Sequence, residues 1–215
     1  MEAVALGTVF NWKERGRAAG LHLCGGLVVA ALAGLLVLGV WYPAPYREIS
    51  GGRELFFLLV SVDVVLGPLT TFAIFDLRKG WHVMRRDLAV IVALQLAALG
   101  YGLWTAAQAR PVHMVFEKDR LRVVHALEVP EPLLPKTPPG IVAKPWTGPT
   151  LIAARTQLTP AESLEVTLAE TQGVTLASRP DFWRLYADST FEVLTAARPL
   201  KAMRQRSPHM GAVIV

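Results

Sequence analysis

Three stretches of the chain, Ala18 to Val40, Leu55 to Phe75 and Leu88 to Ala107, are apolar almost without interruption. Each is about 20 residues long, the length of α-helix that crosses a hydrocarbon core of about 30 Å. The pattern predicts three membrane-spanning helices at about 18–40, 55–75 and 88–107. The first has a basic approach, Lys13, Arg15 and Arg17, as a signal peptide would. Its apolar run, however, exceeds the roughly 7–15 residues of a signal peptide's central region. It also ends in Trp41-Tyr42-Pro43 instead of a small-residue cleavage site, so a retained anchor is expected.

Past Arg110 the pattern becomes one of alternation. In "PVHMVFEKDRLRVVHALEV", Val112, Met114 and Phe116 share one side of an extended segment, and Leu121, Val123 and Val124 follow a charged turn at Glu117-Lys118-Asp119-Arg120. That predicts a β-hairpin. Pro130, Pro132, Pro135, Pro138 and Pro139 exclude a regular helix or a central strand, and 130–149 is expected to be an extended linker or arm. A helix is expected to start at Thr159-Pro160-Ala161-Glu162, where Thr159 and Glu162 form a capping box around a proline at the first helical position, and to stop at Gly173. A second is expected from about Asp181 to Ala197, with Phe182, Leu185, Tyr186 and Leu194 on one apolar face. That face either packs on the hairpin or docks onto another protein. The predicted fold class is a mainly α membrane protein: a cytoplasmic segment 1–17, a three-helix transmembrane region 18–108, and a small α+β periplasmic domain 109–215 with a β-hairpin and two helices.

Composition agrees. Of 215 residues, 53% are hydrophobic and 18% charged, against about 25% charged in an ordinary soluble domain, and the mean hydropathy is +0.38. The net charge of +5 does not point to nucleic acid, because the basic residues are spread along the chain without a nucleic-acid motif. Many flank the spans and set orientation. Lys13, Arg15, Arg17, Arg78, Lys79, Arg85 and Arg86 lie on one side, and Arg47, Arg53 and Arg110 on the other. The more basic side is cytoplasmic, which places residues from about 109 in the periplasm of a Gram-negative inner membrane. The lone Cys24 lies within the first span, so no internal disulfide forms and a packing role is expected.

Candidate chemistry is sparse. No phosphate-cradling glycine loop, zinc spacing or Ser-His-Asp arrangement is present, and His22, His82, His113, His125 and His209 are scattered without metal-ligand spacing. No cofactor, metal or catalytic residue is expected. The conspicuous feature is Asp63 in the middle of the second span, followed by Gly67 and Pro68 in "VSVDVVLGPLTTF". A mid-bilayer charge costs roughly 2.5–3.5 kcal/mol on insertion scales, so such a residue faces a bundle interior and finds a partner. Gln95, Thr70, Thr71, His22 or a polar group in another protein's span are the candidates. Pro68 leaves the Val64 carbonyl without its helical donor, a defect that the Thr70 and Thr71 hydroxyls or a neighbouring helix are placed to relieve. Three readings of Asp63 stay open: a protonated carboxyl bonded to Gln95 as internal glue, a docking contact for a partner span, and proton or ion handling.

The order of blocks is more specific than three spans. "WYPAPY" at Trp41–Tyr46, Gly51-Gly52, "LLVSVDVVLGPLTTFAIF" and "DLAVIVALQLAALGYGLWTAAQARPVHMVFEKDR" together resemble the type IV pilin accessory proteins, small inner-membrane proteins encoded beside the major pilin. The resemblance covers most of the chain, is densest from Trp41 to Arg122, and continues more loosely to "PWTGP" at Pro145–Pro149. It implies a non-enzymatic role, stabilising pilin in the inner membrane or tuning pilus assembly. The major pilin is the implied partner, with other inner-membrane assembly components as a second class. The candidate intramembrane contact is Asp63, Gly67, Pro68, Thr70 and Gln95; the candidate periplasmic partner surface is Arg110, Phe116, Asp119 and Arg120. A membrane enzyme acting on pilin or a lipid-linked donor, with Asp63, Asp119 or His113 as acid or base, and an unrelated membrane-anchored scaffold or sensor are the alternatives.

Overall fold

The computed structural model describes residues 11–76 and 80–197. Arg78, Lys79, His209 and the last part of the predicted 109–215 domain lie outside the described residues. The chain divides into two compact units, 1–110 and 111–215.

The first unit is helical. Helix α1 (Trp12–Gly34) continues as a wider π-helical segment, Leu35–Trp41. A short α2 (Tyr46–Ile49) leads into α3 (Gly52–Ile74), and α4 (Trp81–Gln108) completes the unit. Among the described residues three helical stretches are long and apolar enough to cross a membrane: Trp12–Trp41, Gly52–Ile74 and Trp81–Gln108, with mean hydropathies of 2.5, 2.0 and 1.8. The first and third begin about a turn or two before the predicted apolar stretches. The Asn11 side chain caps α1 by accepting from the Glu14 amide, which lets charged Lys13, Arg15 and Arg17 join the helix. Arg15 has a structural use there. Its guanidinium donates to the Phe72 and Ala73 carbonyls at 3.1 and 2.7 Å, satisfying last-turn acceptors of α3 that have no helical donor.

Helix α3 packs along both α1 and α4, whereas α1 and α4 make little direct contact. At one end the three are joined by a cluster of Val37, Trp41, Tyr42 and Ala106, with Phe56 and Leu103 packed against it. Tyr42 donates its hydroxyl to the Ala106 carbonyl at 3.2 Å.

The second unit is a four-stranded sheet in the order β2-β1-β3-β4. Strands β1 (Pro111–Glu117) and β2 (Arg120–His125) form the predicted hairpin, with Phe116 opposite Leu121 and Glu117 opposite Arg120. Lys118 takes a left-handed conformation in the turn, φ 57°. Strand β3 (Thr150–Ala154) runs parallel to β1, and β4 (Trp183–Leu185) antiparallel to β3. Helix α5 (Pro160–Thr171) starts as its sequence demands: Thr159 and Glu162 complete the capping box. Hydrogen bonds from Arg155 and from the Thr159 amide and hydroxyl hold the Glu162 carboxyl down to about 2. Gly173 ends the element at φ 85°.

Two expectations are corrected. The proline-rich segment is no free arm: Glu131–Lys136 winds into a 3-10 helix, and Leu134, Ile141 and Ala143 pack against the core. Proline suits this short turn because few amide donors are needed. The helix expected over 181–197 is confined to α6 (Thr190–Ala196). Pro180–Phe182 is a 3-10 turn, Trp183–Leu185 is strand β4, and Tyr186–Ser189 is another 3-10 turn. Tertiary pairing overrides the local helical pattern here. Trp183 pairs with Ala154 and donates its indole N–H to the Ala177 carbonyl at 2.8 Å, while Phe182 lies between the Arg155 and Arg179 guanidiniums. Phe182 is buried, but Leu185 and Leu194 are exposed, so the four residues share no apolar face. Val112, Val115, Val124, Ile152, Leu176 and Trp183 form the centre of the core.

Candidate functional site

The polar centre of the helical unit lies where α1, α3 and α4 present His22, Thr71 and Gln95. The Nδ1 of His22 is 2.6 Å from the Thr71 hydroxyl, and its Nε2 is 2.6 Å from the Gln95 Oε1. The Gln95 amide nitrogen reaches the main-chain carbonyl of Asp63 at 3.2 Å. Donor and acceptor chemistry sets the Gln95 end of this chain. The Asp63 carbonyl only accepts, so Gln95 must turn its NH₂ to it and its carbonyl oxygen to His22. The Nε2 of His22 then donates to Gln95, and its Nδ1 shares a hydrogen bond with the Thr71 hydroxyl. The His22 ring, through its two bonds to Thr71 and Gln95, thus links three helices.

This differs from the expected pairing of Asp63 with Gln95 through side chains. Gln95 meets the Asp63 backbone, and among the described residues the Asp63 carboxyl has no hydrogen bond or ion pair. The Gln95 donor serves the carbonyl one residue before that of Val64, which Pro68 leaves without its helical N–H. Thr70 turns back on its own helix and donates to the Leu66 carbonyl at 2.6 Å. Gly67 has a steric reason to be glycine: a Cβ there would run into the Gln95 amide and crowd the His22 ring. Asp63, Gly67, Thr71 and Gln95 are therefore brought together with His22, while Thr70 and Pro68 shape α3 beside them.

Beside this centre, between α1 and α4, lies a groove of about 780 Å³. Leu21, Gly25 and Val29 line it from α1, Leu88, Val92 and Leu96 from α4, and Asp63 faces it from α3. Among the described residues, no atom beyond the local helix backbone comes within 4 Å of where a Cβ would stand on Gly25 or Gly26. These glycines were not singled out from sequence. The signal was their adjacency inside an apolar span, with Gly26 in an i, i+4 row with Ala18, His22 and Ala30.

In the sheet unit, His113 is fully buried. Its Nε2 donates to the Ala143 carbonyl at 3.0 Å, so its Nδ1 accepts from Thr150 at 2.7 Å, and its ring meets Trp183 edge-on at 4.5 Å. Burial pulls its pKa down to about 4, against a small upward pull from the Ala143 carbonyl. It is a neutral core residue. Asp119 lies beyond the other end of β1, exposed in the hairpin turn with Arg120. Phe116 is buried at 4% exposure, which puts it in the packing of the sheet. Arg110 ends the helical unit, also buried, with its guanidinium donating to the Ala107 carbonyl. The four residues expected as one periplasmic surface are thus two exposed turn residues and two buried ones. Among the described residues no group of His, Cys, Asp and Glu is arranged to hold a metal ion.

The family model described as "Fimbrial assembly protein FimB" matches residues 10–51, a stretch that includes α1, the π-helical segment and α2. A fimbrial assembly protein of serogroup I from Dichelobacter nodosus is 36% identical over 181 residues, covering 84% of this chain and 70% of that protein. The chain belongs to the fimbrial assembly protein family. The serogroup E1 protein of the same organism is 37% identical over 182 residues, again 84% of this chain and 70% of the relative. The protein of serogroups C1 and C2 is 42% identical over 105 residues, 49% of this chain and 80% of the relative. No solved structure matches. The resemblance to type IV pilus accessory proteins read from the sequence therefore holds. In this fimbrial assembly protein an alignment over 84% of the chain necessarily takes in α3 and α4, which carry Asp63, Thr71 and Gln95.

Proposed function

We propose that this fimbrial assembly protein is a non-enzymatic accessory to type IV pilin. It is a multi-pass inner-membrane protein with a cytoplasmic N-terminus and residues from about 109 in the periplasm, and it stabilises pilin in the membrane or modulates its assembly. The observation that carries the reading is the 36% identity, across 84% of the chain, to a protein named for fimbrial assembly. Two features support it. The spanning helices are joined by hydrogen bonds among His22, Thr71 and Gln95, as in a scaffold. In the sheet unit both nitrogens of His113 are occupied, which suits packing better than acid–base work.

Two measurements test it. Pilin isolated from wild-type and deletion strains should have the same intact mass, and pilin should co-purify with the tagged protein from detergent. A pilin mass that changes on deletion would instead favour an enzyme. Reporter fusions after Gly80 should read cytoplasmic and fusions after the last residue periplasmic; the reverse would overturn the orientation.

A further inference from the structure

We infer that the groove between α1 and α4 is the seat of a partner's single apolar transmembrane helix, which presents a hydrogen-bond donor at the depth of Asp63. The inference rests on the accessory reading for the identity of that partner, a membrane-anchored pilus subunit, and on the structure for where it docks.

Four observations converge. The α1 wall of the groove runs from Glu14 to Ala30, about 24 Å at the helical rise, most of the thickness of a hydrocarbon core. The groove is therefore long enough for a helix lying along it. Gly25 and Gly26 leave backbone open toward it, with no atom of the described residues beyond the local helix backbone within 4 Å of either Cβ position. Small residues at a membrane-helix surface let a second backbone approach closely, and such close packing drives association where lipid removes the hydrophobic incentive. These glycines are not needed by the fold of the chain itself, in contrast with Gly67, whose missing side chain makes room for Gln95 and His22.

The third observation is Asp63. Its backbone carbonyl is served by Gln95, but its carboxyl faces the groove with no partner among the described residues. The His22, Thr71 and Gln95 side chains of the centre each have a hydrogen-bond partner within the chain. An ionisable group at mid-bilayer depth demands a partner, and here the acceptor is directed where a donor must come from outside. The fourth is that α1 and α4 touch little except through the His22–Gln95 bond. That bond ties the two walls together at one depth and leaves the groove beside it open. A lipid chain would fill the apolar part of such a groove but would bring no donor to Asp63 in its middle.

The test is site-specific photo-crosslinking in the native host, with the major pilin as the probed partner. A photoreactive residue replaces Leu21 or Val29 in the groove, or Leu27, which is exposed elsewhere on α1 and does not line it. Pilin adducts are expected from 21 and 29 and not from 27. In parallel, Gly25→Trp fills the groove, its Cβ meeting no other helix among the described residues, and should abolish pilin co-purification at unchanged protein level. Asp63→Leu should weaken co-purification roughly 3- to 20-fold, the span expected for one hydrogen bond between membrane helices, while Asp63→Asn, which keeps an acceptor, retains most of it. Equal adducts from both faces, adducts with lipid alone, or unimpaired co-purification by Gly25→Trp would each overturn the groove. If pilin co-purifies but crosslinks only from position 27, the docking site is wrong while the accessory role stands. If pilin does not co-purify with the wild-type protein at all, the accessory reading itself falls.

Discussion

The two units each centre on a histidine with both nitrogens engaged, and they use it in opposite ways. His113 is sealed in a core where Val112, Val115 and Val124 are fully buried, and its hydrogen bonds serve to make a polar ring tolerable among apolar neighbours. His22 lies among helices whose apolar side chains face outward, Leu21, Leu35 and Leu94 being 76%, 69% and 67% exposed. Water-driven burial organises the sheet unit. The helical unit buries little, and specific contacts decide which helix faces which: the His22–Gln95–Thr71 network, the Arg15 cap on α3 and the Tyr42 cluster. Each unit should therefore be fragile in its own way. The sheet unit should fail when volume is removed from its core, the helical unit when its few polar or close contacts are disturbed.

The most severe trial of that contrast is Trp183→Ala. The side chain is 3% exposed and touches His113 while donating to Ala177. Truncating such a residue costs about 3–5 kcal/mol, enough to unfold a small unit outright. In detergent the variant should lose protease protection after Arg110 while the helical unit keeps its far-UV helix signal. Loss of both together would show that the units are not independent in stability.

Acid comes next. His113 is held at about 4 in the folded chain against its ordinary 6.5. Between these values the unfolded chain binds a proton that the folded one refuses, so stability is present above 6.5 and is lost as pH falls toward 4. The loss should reach about 3 kcal/mol for the sheet unit. Denaturant midpoints followed by tryptophan fluorescence from pH 7 to 4 should show the slope, and His113→Gln should flatten it.

In the helical unit the corresponding change is small in atoms. Gly67→Ala adds one methyl group that meets the Gln95 amide and crowds His22. Overpacking of this kind costs about 1–3 kcal/mol. The variant should insert normally but show lower thermal stability in detergent, with the sheet unit unaffected. A Gly67→Ala protein as stable as wild type would mean the network has room to shift.

Much of this was legible in the chain because the signals were local. The three apolar runs, the Pro111–His125 hairpin and the Thr159–Glu162 capping box each carry their own pattern over a few residues. What was not legible depended on partners far apart in sequence. Trp183–Leu185 reads as helix until it pairs with Ala154 and Ile152, and Thr150–Ala154 carries too few residues to announce a strand. In the candidate site Asp63, Gln95 and His22 stand out as polar residues in apolar runs, but their pairing does not. Whether Gln95 meets the carboxyl or the carbonyl of Asp63 is decided by the rotation of α4 against α3, which apolar composition does not specify.

The mildest change probes the sheet unit where it is not packed at all. Asp119 and Arg120 are exposed in the β1–β2 turn, and the turn itself is set by the backbone at Lys118 and by the Glu117–Arg120 strand pairing. Neither depends on the two side chains. Exposed charges at such a site contribute about 0–1 kcal/mol even when they pair, and surface substitutions away from special features usually stay within about 0.5 kcal/mol. The double change Asp119→Ala with Arg120→Ala should therefore leave the denaturation midpoint of the sheet unit nearly where it was. Piliation measured in the same strain then separates the two uses of an exposed charge. Normal piliation at normal protein level makes the turn a solvated end of a hairpin. Lost piliation at normal protein level makes it a contact with something the protein meets outside its own fold. A large loss of stability would mean that the turn residues belong to the core's support, and the division between a packed unit and its free surface would have to be redrawn there.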